Sequence, residues 1–469
     1  MVGFTHISVA SVNPQSRKAR TSTEALASNS SQGTMAELRK AADLLEAGKA
    51  DEAEPILQRV ILAVPQNADA HNLLGIVLDQ RGKFKEAERE YRAALRINPA
   101  AISPLANLGV LLARTGRSDE AIKVLDSVLE RFPNHPQASF NLGVQLMARA
   151  DYSRAVSLLE RASQLGVNSY QLHYNLGVAR YHLQRYPEAV GSLQVASELE
   201  PTSADPFYYL GLIAWERNQD ETAAVLWERA IELRPVFPEA HFLLGEALRK
   251  NRRTEASISF FERALEQDQK KFVYYARLGG AYFVLGQHDQ ALKVFLRAAE
   301  RFPRSPEAHY FVGIAARASA NFELAEAEFR RSLVLRPDNV DTLAQLGFIV
   351  GERNRTVEAE NLLRRAIAIN AKHFYANYDL GRLLVKSKRF EEALVFLQHA
   401  VRLKPRNPSV RYQRFLALSR LRRQDEANQE LEIFRQLEAE RKSQPRLLDD
   451  GERENSEPLL PSPLNHFRN

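Results

Sequence analysis

Apolar and small residues along the chain follow a pattern first legible between Ala68 and Ala101, in ADAHNLLGIVLDQRGKFKEAEREYRAALRINPAA. Leu74, Leu78 and their neighbours make an i, i+4 stripe, which predicts an amphipathic helix over 68–80. Gly82 and Lys83 interrupt it, since glycine readily takes the left-handed conformation that ends a helix. A second helix is predicted from about Phe84 to Ile97, stopped by Asn98-Pro99. The pattern then repeats without insertion. Gly75, Gly109, Gly143, Gly177, Gly211, Gly245, Gly279, Gly313, Gly347 and Gly381 stand 34 residues apart. Ala87, Ala121, Ala155, Ala189, Ala223, Ala291, Ala325, Ala359 and Ala393 form a second grid, and Ala94, Ala162, Ala196 and Ala230 begin a third. Three small-residue registers kept in phase predict stacked helical hairpins, with the small residues where helices come too close for larger side chains.

The first helix of each repeat carries two apolar stripes. Residues four and one before the glycine and three after it form the packing stripe. Residues three before, one after and four after form a second stripe, rotated by about a hundred degrees. That second stripe is apolar or aromatic over three consecutive repeats: Phe140, Val144 and Met147, then Tyr174, Val178 and Tyr181, then Tyr208, Leu212 and Trp215. At Phe242, Glu246 and Arg249 it turns polar, so the patch is predicted to end there. Two readings stand side by side: core between successive first helices, or an exposed groove for a partner segment. Trp227 is predicted to be core.

The 34-residue period, the Leu-Gly pairs (Leu108-Gly109, Leu142-Gly143, Leu176-Gly177), the alanines and the closing prolines (Pro65, Pro99, Pro133, Pro201, Pro235, Pro303, Pro337, Pro405) resemble the tetratricopeptide repeat. The resemblance spans Thr34 to about Arg441, twelve repeats with both ends counted. It implies an all-α fold, a right-handed superhelical α-solenoid of antiparallel helix pairs, whose second stripe faces a concave groove that binds protein. Asn107, Asn141 and Asn175 add a short ladder two residues before the glycine. It is similar to the asparagine ladder in the repeat region of O-linked N-acetylglucosamine transferases, where amides hold a peptide backbone. An amide offers donor and acceptor together. Asparagines that only bridge neighbouring helices explain the ladder equally well.

Composition changes this picture little. The formal charge of +6 over 469 residues gives no case for nucleic acid, and with no cysteine there is neither disulfide nor cysteine-ligated zinc. Residues 1–33, rich in Ser, Thr, Ala and Asn, are expected to be disordered, as is the proline-rich tail 442–469. The segment between them is the solenoid. No secretory signal or transmembrane span is apparent, which makes a cytoplasmic protein the expectation.

Catalytic chemistry is not legible. His71, His173, His241 and His309 share one slot, four before the glycine, where a packing role is expected rather than a metal ladder. Gly75 to Lys83 lacks Walker spacing, and there is no HExxH or GxSxG. Basic residues gather near the end, at Arg382, Lys386, Lys388, Arg389, Arg411, Arg414, Arg420, Arg422 and Arg423, and the acidic tail is a candidate to dock there. The reading is a non-enzymatic scaffold or adaptor for a protein or peptide segment, without cofactor or metal. Its alternatives are a substrate-recruiting array for an enzyme on a separate chain, or a component of an envelope or pilus assembly complex.

Overall fold

The computed structural model describes residues 22–443. Over that range it is all-α, a solenoid of antiparallel helix pairs in two compact units. The N-terminal unit, to Gln219, holds α1 (Ser22–Glu46), α2 (Ala50–Ala63), α3 (Ala68–Gln80), α4 (Phe84–Ile97), α5 (Ile102–Arg114), α6 (Ser118–Arg131), α7 (Pro136–Met147), α8 (Tyr152–Gln164), α9 (Tyr170–His182), α10 (Tyr186–Leu199) and α11 (Asp205–Glu216). The C-terminal unit, from Asp220, holds α12 (Asp220–Leu233), α13 (Pro238–Lys250), α14 (Thr254–Gln267), α15 (Phe272–Val284), α16 (His288–Arg301), α17 (Pro306–Ala318) and α18 (Phe322–Leu335). It continues with α19 (Val340–Glu352), α20 (Thr356–Ile369), α21 (Phe374–Lys386), α22 (Phe390–Leu403), α23 (Pro408–Arg420) and α24 (Gln424–Ser443). The predicted bounds of the helices at 68–80 and 84–97 are those observed.

The glycine grid is explained by what lies 16 residues on. A β-carbon on Gly75 would stand 2.7 Å from Tyr91 Cδ1, one on Gly143 2.8 Å from Leu159 Cγ, and one on Gly347 2.7 Å from Leu363 Cγ. Each glycine therefore makes room for a bulky side chain of the second helix, and those side chains are fully buried. The alanines on the second grid are buried as well. Each hairpin turns through one left-handed residue on the same 34-residue register. Glycine takes it at Gly48, Gly82, Gly116 and Gly286, whereas Ala150, Gln184, Asn218, Arg252, Ala320, Asn354, Lys388 and Arg422 occupy it elsewhere. The turn is imposed by packing on both sides and does not need glycine.

The recurrent histidines tie repeats together. His71 Nδ1 lies 2.6 Å from Glu90 Oε2, and its Nε2 lies 3.1 Å from the Pro65 carbonyl. His309 makes the same two contacts with Glu328 and Pro303, and His241 keeps the one to Pro235. Arg411 does both in the last repeat, donating to Glu430 and to the Pro405 carbonyl. His173 instead reaches Asn168. The slot joins a first helix to the closing proline before it.

The first helix starts earlier than expected. The sequence reading placed disorder through Gly33, yet α1 begins at Ser22. The segment Ser22-Thr-Glu-Ala-Leu-Ala27 has an acidic residue in its first turn and strong helix formers behind it, which suffice without apolar periodicity. At the other end α24 reaches Ser443, two residues past the expected limit, burying Ala427 and Glu430 while most of its length faces solvent. That is the form of a terminal capping helix. The expectations for 1–21 and for the tail 444–469, including its docking, lie outside the described residues.

Candidate protein-interaction site

In the N-terminal unit the second stripe of α7, α9 and α11 is where the aromatic block lies. Phe140, Val144, Val178, Tyr181, Tyr208 and Leu212 are buried, while Met147, Tyr174 and Trp215 are half-buried. None of the nine is exposed, so most of the stripe serves as core between successive first helices. Met147 packs against the hydrophobic clusters on both sides of it.

Around the stripe the rings form a continuous network. Tyr174 lies over Tyr170 with centroids 5.7 Å apart and meets Tyr209 edge-on at 5.9 Å. Tyr209 also contacts Tyr181 at 5.7 Å and Tyr208 at 5.5 Å. Tyr152 stacks on His182 at 4.3 Å, and His182 meets Tyr181. Such offset and edge-on pairs are the favoured aromatic geometries. Burial pushes the Tyr174 and Tyr209 phenols above their ordinary range. Tyr170 bonds Ser203 through its hydroxyl at 2.7 Å. The sequence reading did not single out Tyr152, Tyr170, Tyr186 and Tyr209, which stand off the second-stripe register; the signal available was their density between residues 152 and 209.

The asparagine ladder is turned inward. Asn107 Nδ2 donates to Asn72 Oδ1 of the preceding first helix at 3.1 Å, and both are buried. Asn141 is 1% exposed. Asn175 is half-buried and donates to the Gln171 carbonyl one turn back.

In the C-terminal unit the stripe changes character where the sequence predicted. Glu246 is 1% exposed, accepts a hydrogen bond from Arg249 Nε at 3.1 Å and forms an ion pair with Arg277. Further on, Gly351 on α19 leaves a small open hollow of about 30 Å³ between α19 and α21, lined by Phe348, Glu352, Asp379 and Arg382 among others. Asp379 is 8% exposed, and burial raises its carboxyl to about 6 against the pull of Arg382 and Arg317. The sequence reading missed this hollow; its signal was a glycine four after the grid glycine, where other repeats carry larger side chains.

Five of the nine basic residues at the C-terminal end are paired with carboxylates, while Lys386, Lys388, Arg420 and Arg422 are exposed. Arg382 pairs with Glu352 at 2.9 Å, Arg389 with Glu360 and Glu392, Arg411 and Arg414 with Glu430, and Arg423 with Glu426. Among the described residues no group of three His, Cys, Asp or Glu is placed to hold a metal ion. No described helix is long and apolar enough to cross a membrane.

Family models of the tetratricopeptide repeat match residues 38–102 and 80–139, and that of anaphase-promoting complex, cyclosome, subunit 3 matches 114–196. The model of the cilia and flagella-associated protein 70 C-terminal domain matches 228–449. Human cilia- and flagella-associated protein 70 is 28% identical over 92 residues, covering 20% of this chain and 8% of that protein. The type IV pilus assembly protein PilF of Pseudomonas aeruginosa is 26% identical over 164 residues, 34% of this chain and 65% of the relative. This chain thus matches less than two thirds of either relative. Among solved structures, the anaphase-promoting-complex hetero-tetramer Cut9–Hcn1 has a TM-score of 0.42 at 13% identity, covering 85% of this chain and 92% of that one.

Proposed function

We propose that this chain of tetratricopeptide repeats is a protein-interaction scaffold, holding a segment of a partner protein on the first-helix face of its N-terminal unit. The observation that carries the reading is the half-buried line of Met147, Tyr174, Tyr209 and Trp215 on α7, α9 and α11. Aromatic side chains with a polar tip supply large contact area at small entropic cost, which suits them to binding. Phe140, Val144, Val178, Tyr181, Tyr208 and Leu212 support these rings from beneath, and Asn107 ties α5 to α3 through Asn72. Asn175 stands at the edge of the contact. The role is binding and not catalysis, in the cytoplasm.

Site-specific photo-crosslinking tests this directly. Benzoylphenylalanine at position 215 is expected to trap a discrete partner from native extract. The same group at Leu62, 84% exposed on α2, is expected to trap none. Equal adducts at both positions, or none at 215, would remove the reading.

The likeness to PilF favours a second reading, a component of a pilus or envelope assembly complex. Co-fractionation of the chain with membranes supports it, and a wholly soluble distribution contradicts it.

A further inference from the structure

The position four before the grid glycine recurs as a hydrogen-bond donor. Through it His71, His241, His309, Asn377 and Arg411 donate to the carbonyl six residues earlier, that of Pro65, Pro235, Pro303, Ala371 and Pro405 respectively. Three of these donors also meet a glutamate 19 residues on, in the second helix of the same repeat. His71 Nδ1 lies 2.6 Å from Glu90, His309 Nδ1 2.6 Å from Glu328, and Arg411 Nη1 3.1 Å from Glu430. The repeat of His241 carries Phe260 at the glutamate position, in ring contact with the imidazole. His241 Nδ1 accordingly has no hydrogen-bond partner among the described residues.

A carbonyl and a carboxylate only accept, so a side chain that faces both must donate twice. Arginine does so permanently, because its guanidinium keeps its charge. Neutral imidazole has one N–H and one bare nitrogen, which suffices for His241 but leaves His71 and His309 one hydrogen short. Without that hydrogen a nitrogen lone pair would stand 2.6 Å from a carboxylate oxygen, and His309 and Glu328 are both buried. Arg331 Nη1 donates to the other Glu328 oxygen at 2.6 Å, a charge-assisted bond that a carboxylate accepts, so the added proton sits on the imidazole. Glu328 and Arg331 face His309 from α18, and the α16 side offers the Pro303 carbonyl. Glu307, on the same helix as His309, is engaged by Ser305 and Arg336. Glu90 on α4 faces His71 from the equivalent place. We propose that His71 and His309 are proton-operated clamps between consecutive repeats, closed while both ring nitrogens carry hydrogen and released when one hydrogen is lost. The clamp at Arg411 is permanent, and the single contact of His241 needs no added proton.

The folded chain then holds at each clamp a proton that an exposed imidazole, titrating at about 6.5, gives up above that pH, so stability declines as pH rises. Nitrogen-15 NMR of the histidine-labelled full chain at pH 7.5 tests the protonation directly. His71 and His309 are expected to carry hydrogen on both ring nitrogens and His241 on Nε2 alone, the signals being assigned by their loss in His71→Arg, His241→Gln and His309→Arg. Glu328→Gln offers a donor where the carboxylate accepts, and is expected to leave His309 with a single N–H. Between pH 6 and pH 9 the thermal midpoint of the parent is expected to fall by about 2–4 °C relative to His309→Arg, whose clamp has no proton to lose. A bare ring nitrogen on His71 or His309 at pH 7.5 would overturn the proposal. So would midpoints of the parent and His309→Arg that run parallel across that range.

Discussion

A carboxylate buried without a hydrogen-bond donor opposes folding, and Asp379 is such a group. Its carboxyl titrates near 6 in the folded chain and near 3.8 when exposed, so its contribution to stability is complete below 3.8 and is lost as pH rises through 6. Asp379→Asn is therefore expected to stabilise the chain at pH 7.5 by about 1–3 kcal/mol. The advantage should vanish near pH 4. Denaturant midpoints of the two proteins at both pH values check this, and a variant less stable than the parent at pH 7.5 would contradict it. The groups acting on the carboxylate are Arg382 on its own helix, Arg317 on α17, Glu352 on α19 and His373 at the start of α21.

At the level of the helix, two glycines four residues apart on α19 should respond oppositely to the same change. Gly347→Ala drives a methyl group to 2.7 Å from Leu363 Cγ and is expected to destabilise the C-terminal unit by about 1–3 kcal/mol. Gly351→Ala meets only ordinary contacts and gains helix propensity, an expected stabilisation of about 0.5–1 kcal/mol. Thermal midpoints of the two variants separate these outcomes; two losses of equal size would show that the hollow is not there. The contrast also shows where sequence reasoning succeeds. Gly347 belongs to a register repeated ten times, so its role was legible from periodicity alone. Gly351 occurs once in its slot and is indistinguishable by pattern from a neutral substitution; only the space beside it reveals a role. Helix bounds were likewise legible from caps, prolines and stripes. The early start of α1 was not, because it rests on propensity instead of an apolar face. The second stripe could be located by spacing, but its burial depends on how closely successive first helices stack, which spacing does not encode. Asn107 illustrates the same limit, since its donor role to Asn72 requires knowing which neighbour lies within 3.1 Å.

Across the whole molecule, local rules repeated along the chain leave few positions free to specialise. The packing glycines, the left-handed turn residues and the histidine slot are occupied by the fold, and specialisation falls on the second stripe of the first helices. It is aromatic on α9 and α11 and ionic at Glu246 on α13. Trp215 lies on that stripe and half-buried, whereas Trp227 is 0% exposed, so a Trp227→Phe chain reports from the proposed contact alone. The decisive measurement is the iodide quenching of Trp215 in that variant, before and after addition of the segment crosslinked at position 215. A shift of emission to shorter wavelength with reduced quenching is the predicted result. A segment that binds while the emission and quenching of Trp215 stay unchanged would contradict the central claim.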